Sequence, residues 1–115
     1  MKNKESTRYF SDLHEQSVFN ALNGRQTNNS GANKFEKGDV IVDDLFLIEC
    51  KCSMSDKKSV SIKEDWIKKN KEESFRNRIF NSALCFNFKP CGENYYVIEE
   101  KLMKFLIEKI KEEGI

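Results

Sequence analysis

The stretch Gly38-Asp39-Val40-Ile41-Val42-Asp43-Asp44-Leu45-Phe46-Leu47-Ile48-Glu49-Cys50-Lys51 decides how this chain is read. Val40-Ile41-Val42 is a β-branched run, Asp43-Asp44 is a turn signal, and Leu45 to Cys52 is a second, largely apolar run. Together they read as a β-hairpin. Residues i and i+2 of a strand share a face, so Glu49 and Lys51 point the same way whatever the rest of the fold does. Asp39 opens the neighbouring strand and can be brought close to Glu49. A turn through Asp43-Asp44 alone would set Asp39 opposite Ile48, facing away from Glu49. A shared face requires a three-residue turn, a bulge or a splayed strand start, and one of these is expected.

On the N-terminal side, residues 1–10 are polar and read as a frayed start. A helix is expected from Ser11, with Ser11 or Thr7 as cap, a stripe of Leu13, Val18, Phe19 and Leu22, and a stop at Asn23-Gly24. Residues 24–37, rich in Asn, Gly and Ser, read as a loop with room for a short extended piece. On the C-terminal side, residues 53–58 form a polar loop. Val60 and Ile62 alternate with serine as a short edge strand, and Lys63 to about Arg78 is helix-forming. Ala83 to Phe88 and Tyr95 to Ile98 are two further strands, separated by a turn around Pro90 and Gly92. Residues 99–112 form an amphipathic helix with Leu102, Phe105, Leu106 and Ile110 on one face. The order α-β-β-β-α-β-β-α predicts an α/β fold of the α+β, mixed-sheet kind. It has a central sheet of four to five strands flanked by helices, in a single domain over residues 1–115.

The length, 115 residues, suits one compact core. Charged residues make up 34% of the chain, and its nine Phe, three Tyr and one Trp argue against wholesale disorder. No apolar run approaches the length of a membrane span, and the start, Met1-Lys-Asn-Lys-Glu-Ser, has no secretory h-region, so a cytoplasmic protein with no membrane partner is expected. The net charge of +1 says nothing about partners, but its distribution does. Residues 39–49 carry four acids and no base, while residues 51–80 carry nine bases and five acids. Acids in the middle suit a divalent cation, and flanking bases suit a polyanion. The four cysteines, Cys50, Cys52, Cys85 and Cys91, do not have the C-x2-C spacing of zinc knuckles and read as reduced structural thiols.

Two carboxylates that converge at one point repel each other unless a cation lies between them, and oxygen-only ligands favour Mg²⁺ or Mn²⁺. Such an ion polarises a phosphate oxygen and lowers the pKa of a bound water, and a neighbouring lysine can orient that water or stabilise the developing charge. Glu15 on the first helix could complete the metal shell or hold a second ion. Simpler readings stand beside these. His14 reads as an exposed or capping histidine, and Trp66 and Phe75 read as core. The basic run Lys68, Lys69, Lys71, Arg76 and Arg78, interleaved with Glu72 and Glu73, suits a solvated helix as well as a phosphate-binding face.

The pattern Glu15 … Gly38-Asp39 … Glu49-Cys50-Lys51 resembles the PD-(D/E)XK nuclease superfamily. Its context is similar to the small archaeal and phage-type Holliday junction resolvases. In these a helix carries a Glu, then come a Ser-Gly loop (here Ser30-Gly31-Ala32), Lys-Gly-Asp-Val (here Lys37 to Val40), Glu-x-Lys, a basic helix and an aromatic strand. Gln16 stands where archaeal members usually have Arg, and Gly38 replaces the Pro before Asp39. The resemblance implies a restriction-endonuclease-like core and Mg²⁺ (or Mn²⁺) held by Glu15, Asp39 and Glu49. It implies Lys51 in catalysis and Ser30 near the scissile phosphate. Arg25 and Lys37, with Lys68, Lys69, Arg76 and Arg78 of the basic helix, are then candidate DNA contacts. The implied activity is hydrolysis of a phosphodiester in branched DNA, such as a four-way junction, by a homodimer. A related nuclease of restriction, repair or single-strand type, and a non-catalytic DNA-binding protein on the same fold, are the alternatives.

Overall fold

The computed structural model describes residues 4–26 and 39–114, with side chains described from residue 7. Ser30 and Lys37, together with the Ser-Gly loop, lie outside the described residues. The chain runs α1 (Lys4–Leu22), β1 (Arg25–Gln26), β2 (Asp39–Val42), β3 (Phe46–Lys51), α2 (Glu64–Arg76), β4 (Asn81–Phe86), β5 (Tyr95–Val97) and α3 (Glu100–Glu113). The five strands form one sheet in sequence order. The β1–β2, β2–β3 and β4–β5 pairs are antiparallel; β3 and β4 are parallel, joined across the sheet by α2. Among the described residues this is a mixed-sheet α+β domain with three helices. No helix among the described residues is long and apolar enough to cross a membrane.

The element order matches the expectation, but one strand changes place. Val60 and Ile62 form no strand; the extra one is Arg25–Gln26, which pairs with Ile41 and Val40. Two residues suffice there because Gly24 lets the chain leave α1 directly against β2. A Cβ on Gly24 would stand 2.8 Å from the Ile41 carbonyl oxygen and 2.9 Å from a Val40 methyl. The helix before it is longer than its cap signals suggest: residues 4–10 are helical rather than frayed. It stops as expected at Asn23, which adopts the left-handed conformation (φ 57), with the Gly24 N–H donating back to the Phe19 carbonyl at 2.9 Å.

The hairpin turn fixes the register. Leu45 N–H donates to the Val42 carbonyl at 2.8 Å, and Asp43 and Asp44 both sit at positive φ (48 and 57). Aspartate tolerates that region better than most residues. Three residues therefore separate the paired Val42 and Phe46, and Asp39 falls opposite Glu49.

Alternation then sorts the side chains between two faces. Val40, Ile48, Ala83 and Cys85 pack against Val18 of α1, while Ile41 and Leu47 pack with Ile79 on the α2 side. Asn70, buried in α2, donates to the Leu47 carbonyl at 3.2 Å and ties the crossover helix to the central strand. Beyond the ends of β3 and β4, Ser53 N–H donates to Asn87 Oδ1 (2.8 Å) and the Ser53 hydroxyl donates to the Asn87 carbonyl (2.7 Å). Gly24→Ala is expected to lower the unfolding free energy by about 1–3 kcal/mol, because the obstructing atom is backbone and cannot swing away; denaturant unfolding checks it.

Candidate active site

Asp39 and Glu49 are register partners in adjacent antiparallel strands. Directly opposed residues stand on one face with Cβ atoms about 5 Å apart. Both are buried, at 1% and 9% exposure. Lys51, two residues on, shares the face, and its Nζ lies 2.9 Å from Glu49 Oε2. Asp39, Glu49 and Lys51, candidates by their spacing in the sequence, come together on one face of the sheet.

Glu15 reaches the same region from the other side of the sheet. It is buried on α1, and its Oε1 accepts a hydrogen bond from Gln26 Nε2 at 3.3 Å. Between the two sides lies Cys50, whose side chain joins the α1-side core. Its thiol is pushed far up, first by burial, then by Cys85, then by the carboxylates of Glu15, Asp39 and Glu49. All three acids thus act on one short segment of β3. They do not close into a ligand cage: among the described residues no group of three His, Cys, Asp or Glu side chains is arranged to hold a metal. Asp39 and Glu49, an oxygen-only pair on one face, fit a hard divalent ion, and Glu15 stands off from them on the α1 side.

The candidate DNA contacts divide by position. Arg25 pairs with Ile41, so its register sets it on the Asp39–Glu49 face, and it is exposed. Lys68 and Lys69 are exposed on α2, Lys68 in a loose pair with Glu64 at 3.5 Å. Arg76 and Arg78 are exposed at the other end of that helix, near the hairpin turn, where Phe80 N–H donates to the Asp44 carbonyl. They therefore sit at the end of the sheet away from Asp39 and Glu49. Lys71 is paired with Glu99 at 3.0 Å.

Two residues not assigned to the site belong beside it. Trp66, in the first turns of α2, is half-buried, and Lys51 Nζ lies 4.4 Å from its ring centroid, with Lys63 Nζ at 5.7 Å. The indole is thus a wall for Lys51 rather than a piece of the apolar core. Contact between a lysine and an aromatic face limits where the amine can swing. The only local signal was a lone Trp three residues after Lys63 at a helix start, which is weak without the partner strand.

His14 is not the exposed histidine expected. It is 2% exposed, and its Nε2 lies 3.5 Å from the Cys85 sulfur. Burial lowers its pKa below the ordinary value of 6.5, with Asn94 opposing; burial likewise pushes Cys85 up to about 12. The pair is a neutral imidazole beside a neutral thiol. The four cysteines form no disulfide in the structure; Cys85 is buried, Cys50 and Cys52 are half-buried, and Cys91 is exposed.

No family model, curated protein or solved structure matches this chain.

Two outcomes follow from this geometry. Trp66 is the single tryptophan of the chain, so Lys51→Met, which keeps the stem and removes the charge, is expected to change the intensity and position of its emission; an unchanged spectrum would separate the two groups. For His14 the unfolded state binds the proton more readily than the folded state. The folded form therefore loses stability as pH falls through 6.5 towards the depressed value. The melting temperature is expected to drop over that window in wild type and to drop less in His14→Gln.

Proposed function

We propose that this chain is a metal-dependent DNA endonuclease with a restriction-endonuclease-like core, selective for branched DNA such as a four-way junction. The observation that carries the reading is the register pairing of two buried carboxylates, Asp39 and Glu49, with Lys51 bridging to Glu49 on the same face. Two like charges set opposite each other in a buried sheet cost stability unless positive charge compensates, which Lys51 supplies in part at Glu49 and a divalent ion would supply for the pair. In the sheet of a structural protein an apolar pair would serve better. The acids face the α2 side, which also carries exposed bases for a polyanion.

In this reading Asp39 and Glu49 would hold a Mg²⁺ or Mn²⁺ ion, and Glu15, standing off on the α1 side, would add negative charge nearby rather than a third ligand. Such an ion would supply Lewis acidity toward a phosphate oxygen and would acidify a bound water. Lys51, steadied between Glu49 and the Trp66 face, donates to the non-bridging oxygens as negative charge builds on them, or orients the attacking water. The leaving oxygen is the 3′ side, giving a 5′-phosphate and a 3′-hydroxyl. Arg25 on the same face, with Lys68 and Lys69 along α2, grips the backbone. Such contacts position DNA without reading its sequence, so selectivity comes from the shape of the branch. Arg76 and Arg78, at the far end of α2, would touch a second arm. Ser30 and Lys37 keep the roles that the resemblance gives them, near the scissile phosphate and on the backbone.

Labelled four-way junctions, forks, linear duplex and single strands, each with Mg²⁺ and with EDTA, test this. Paired nicks confined to the junction are expected, abolished by EDTA and slowed about 100-fold or more in Lys51→Ala and Glu49→Gln. Cleavage of every substrate would keep the nuclease and remove the branch selectivity. Tight junction binding with no cleavage in either metal would make the chain a binding protein. Mn²⁺ is expected to raise the melting temperature of wild type but not of a protein carrying Asp39→Asn and Glu49→Gln together.

A further inference from the structure

The face that carries Asp39, Glu49 and Lys51 continues across β4 and β5 as an aromatic one. Lys51 is the register partner of Phe86, and Phe86 of Tyr95. Register partners share a face and adjacent strands lie about 5 Å apart, so Lys51, Phe86 and Tyr95 form one row beside that of Asp39 and Glu49. Phe88, two residues past Phe86, closes a triangle with them. Ring centroids are 5.5 Å apart for Phe86–Phe88, 5.6 Å for Phe88–Tyr95 and 5.8 Å for Phe86–Tyr95. The contacts of Phe88 are edge-on, at 78° and 71°, whereas Phe86 and Tyr95 are inclined by only 31°. A core would bury such a cluster. Here Phe86 and Phe88 are half-buried, Tyr95 is 45% exposed, and none of the three belongs to the two core clusters. Phe75 and Phe80 are barer still, at 84% and 82%, so Phe75 is not the core residue expected. Those two line a groove with α3 at the hairpin-turn end of the sheet, away from the acids.

Lysines flank the triangle. The Lys57 N–H donates to the Phe88 carbonyl at 2.7 Å, which ties the loop after β3 to it. Lys57 and Lys58 are exposed on that loop, and Lys89, also exposed, follows Phe88. Among the described residues none of these three lysines makes an ion pair. The acids of the same segments are Asp56 and Glu93, both exposed. Glu93 accepts a hydrogen bond from the Tyr95 hydroxyl at 3.4 Å, which engages the edge of the ring and not its face.

We propose that Phe86, Phe88 and Tyr95 are a stacking platform for one unpaired nucleobase, so that the branch this site selects is one with a base unpaired at the branch point. The inference rests on the nuclease reading and names the feature of the substrate that is recognised. Every base has a π-face that stacks on an aromatic ring whatever the sequence. A base inside a duplex already has its stacking partners and must give them up to leave, whereas an unpaired base has far less to lose. Lys57, Lys58 and Lys89, with no internal partner to surrender, meet the flanking phosphates. Aromatic faces beside a basic track are the means by which proteins hold single strands. The platform begins one strand from Lys51, so the nucleotide it holds adjoins the phosphate that Lys51 would touch. The three aromatic residues determine specificity and touch no reacting atom.

The probe is a four-way junction with one unpaired 2-aminopurine inserted at the branch point, whose emission falls when it stacks. Its companions are the same junction with an abasic nucleotide at that position and a blunt linear duplex. Binding is measured in EDTA, so that no cleavage intervenes. Wild type is expected to quench the 2-aminopurine and to bind the abasic junction about tenfold more weakly. Tyr95→Leu keeps an apolar side chain at an exposed strand position. It is expected to abolish the quenching and to weaken binding of the 2-aminopurine junction about tenfold, with no further loss on the abasic junction and none on the blunt duplex. Tyr95→Phe, which keeps the ring and removes the hydroxyl, is expected to match wild type. Undiminished emission from a junction saturated with wild type would overturn the inference. So would equal affinity for the two junctions, or a Tyr95→Leu loss as large on the blunt duplex. Quenching and an abasic penalty with no cleavage in Mg²⁺ would keep the platform, in a DNA-binding protein, and remove the nuclease; junction cleavage with neither would do the reverse.

Discussion

The register of one hairpin governs the rest of this structure. With three residues in its turn, Asp39 faces Glu49 and Val40 faces Ile48. A shift by a single residue would exchange the faces of every side chain on one strand. Val40 and Val42 would leave the α1 core, and Asp39 would enter it. The apolar packing and the chemistry of the site are therefore set by the same choice, and the choice rests on two aspartates that accept positive φ. Because the core specifies the register, the acidic pair is held in place by groups that never touch it.

The central strand serves both faces at once. Ile48 and Cys50 turn toward α1; Leu47, Glu49 and Lys51 turn toward α2. Its neighbours on either side, β2 antiparallel and β4 parallel, leave it without a free edge. A carboxylate on such a strand has little freedom to move, which is the condition a ligand-binding group needs if it is to be positioned before its ligand arrives. The Cys50 thiol on the reverse side stays protonated under the pressure of burial and nearby acids. It therefore adds no further charge to an already acidic place.

Much of this was legible in the sequence, and what was not has identifiable causes. The hairpin, the crossover helix and the last two strands each carry period, turn residues and length that agree. The need for a longer turn followed from face arithmetic alone. The misplaced strand shows the limit. Val60-Ser61-Ile62 has the alternation of a strand but pairs with no strand of the sheet, whereas Arg25-Gln26 has no strand signal and is drawn into pairing by the tight exit at Gly24. His14 looked like a surface residue because helical spacing does not reveal that strand β4 brings Cys85 against it. Trp66 and Lys51 are distant in sequence, and only the parallel crossover brings α2 back over β3. For α3 the stripe was plain, but whether it met its own sheet could be seen only in three dimensions.

The order of the strands in the sheet is also their order along the chain. Most pairings therefore close short loops, which cost little chain entropy, and the one long closure is the docking of β4 beside β3 with α2 laid across them. The two halves of the site consequently differ in when they can exist during folding. Asp39 and Glu49 meet within a hairpin that needs no distant partner. The Trp66 wall for Lys51 waits for the crossover, which the Asn70 and Ser53–Asn87 hydrogen bonds then secure. A nascent chain that has formed only the hairpin carries the acids opposed and the lysine unrestrained, so an opposed acid pair with a steadied amine is a property of the completed domain alone.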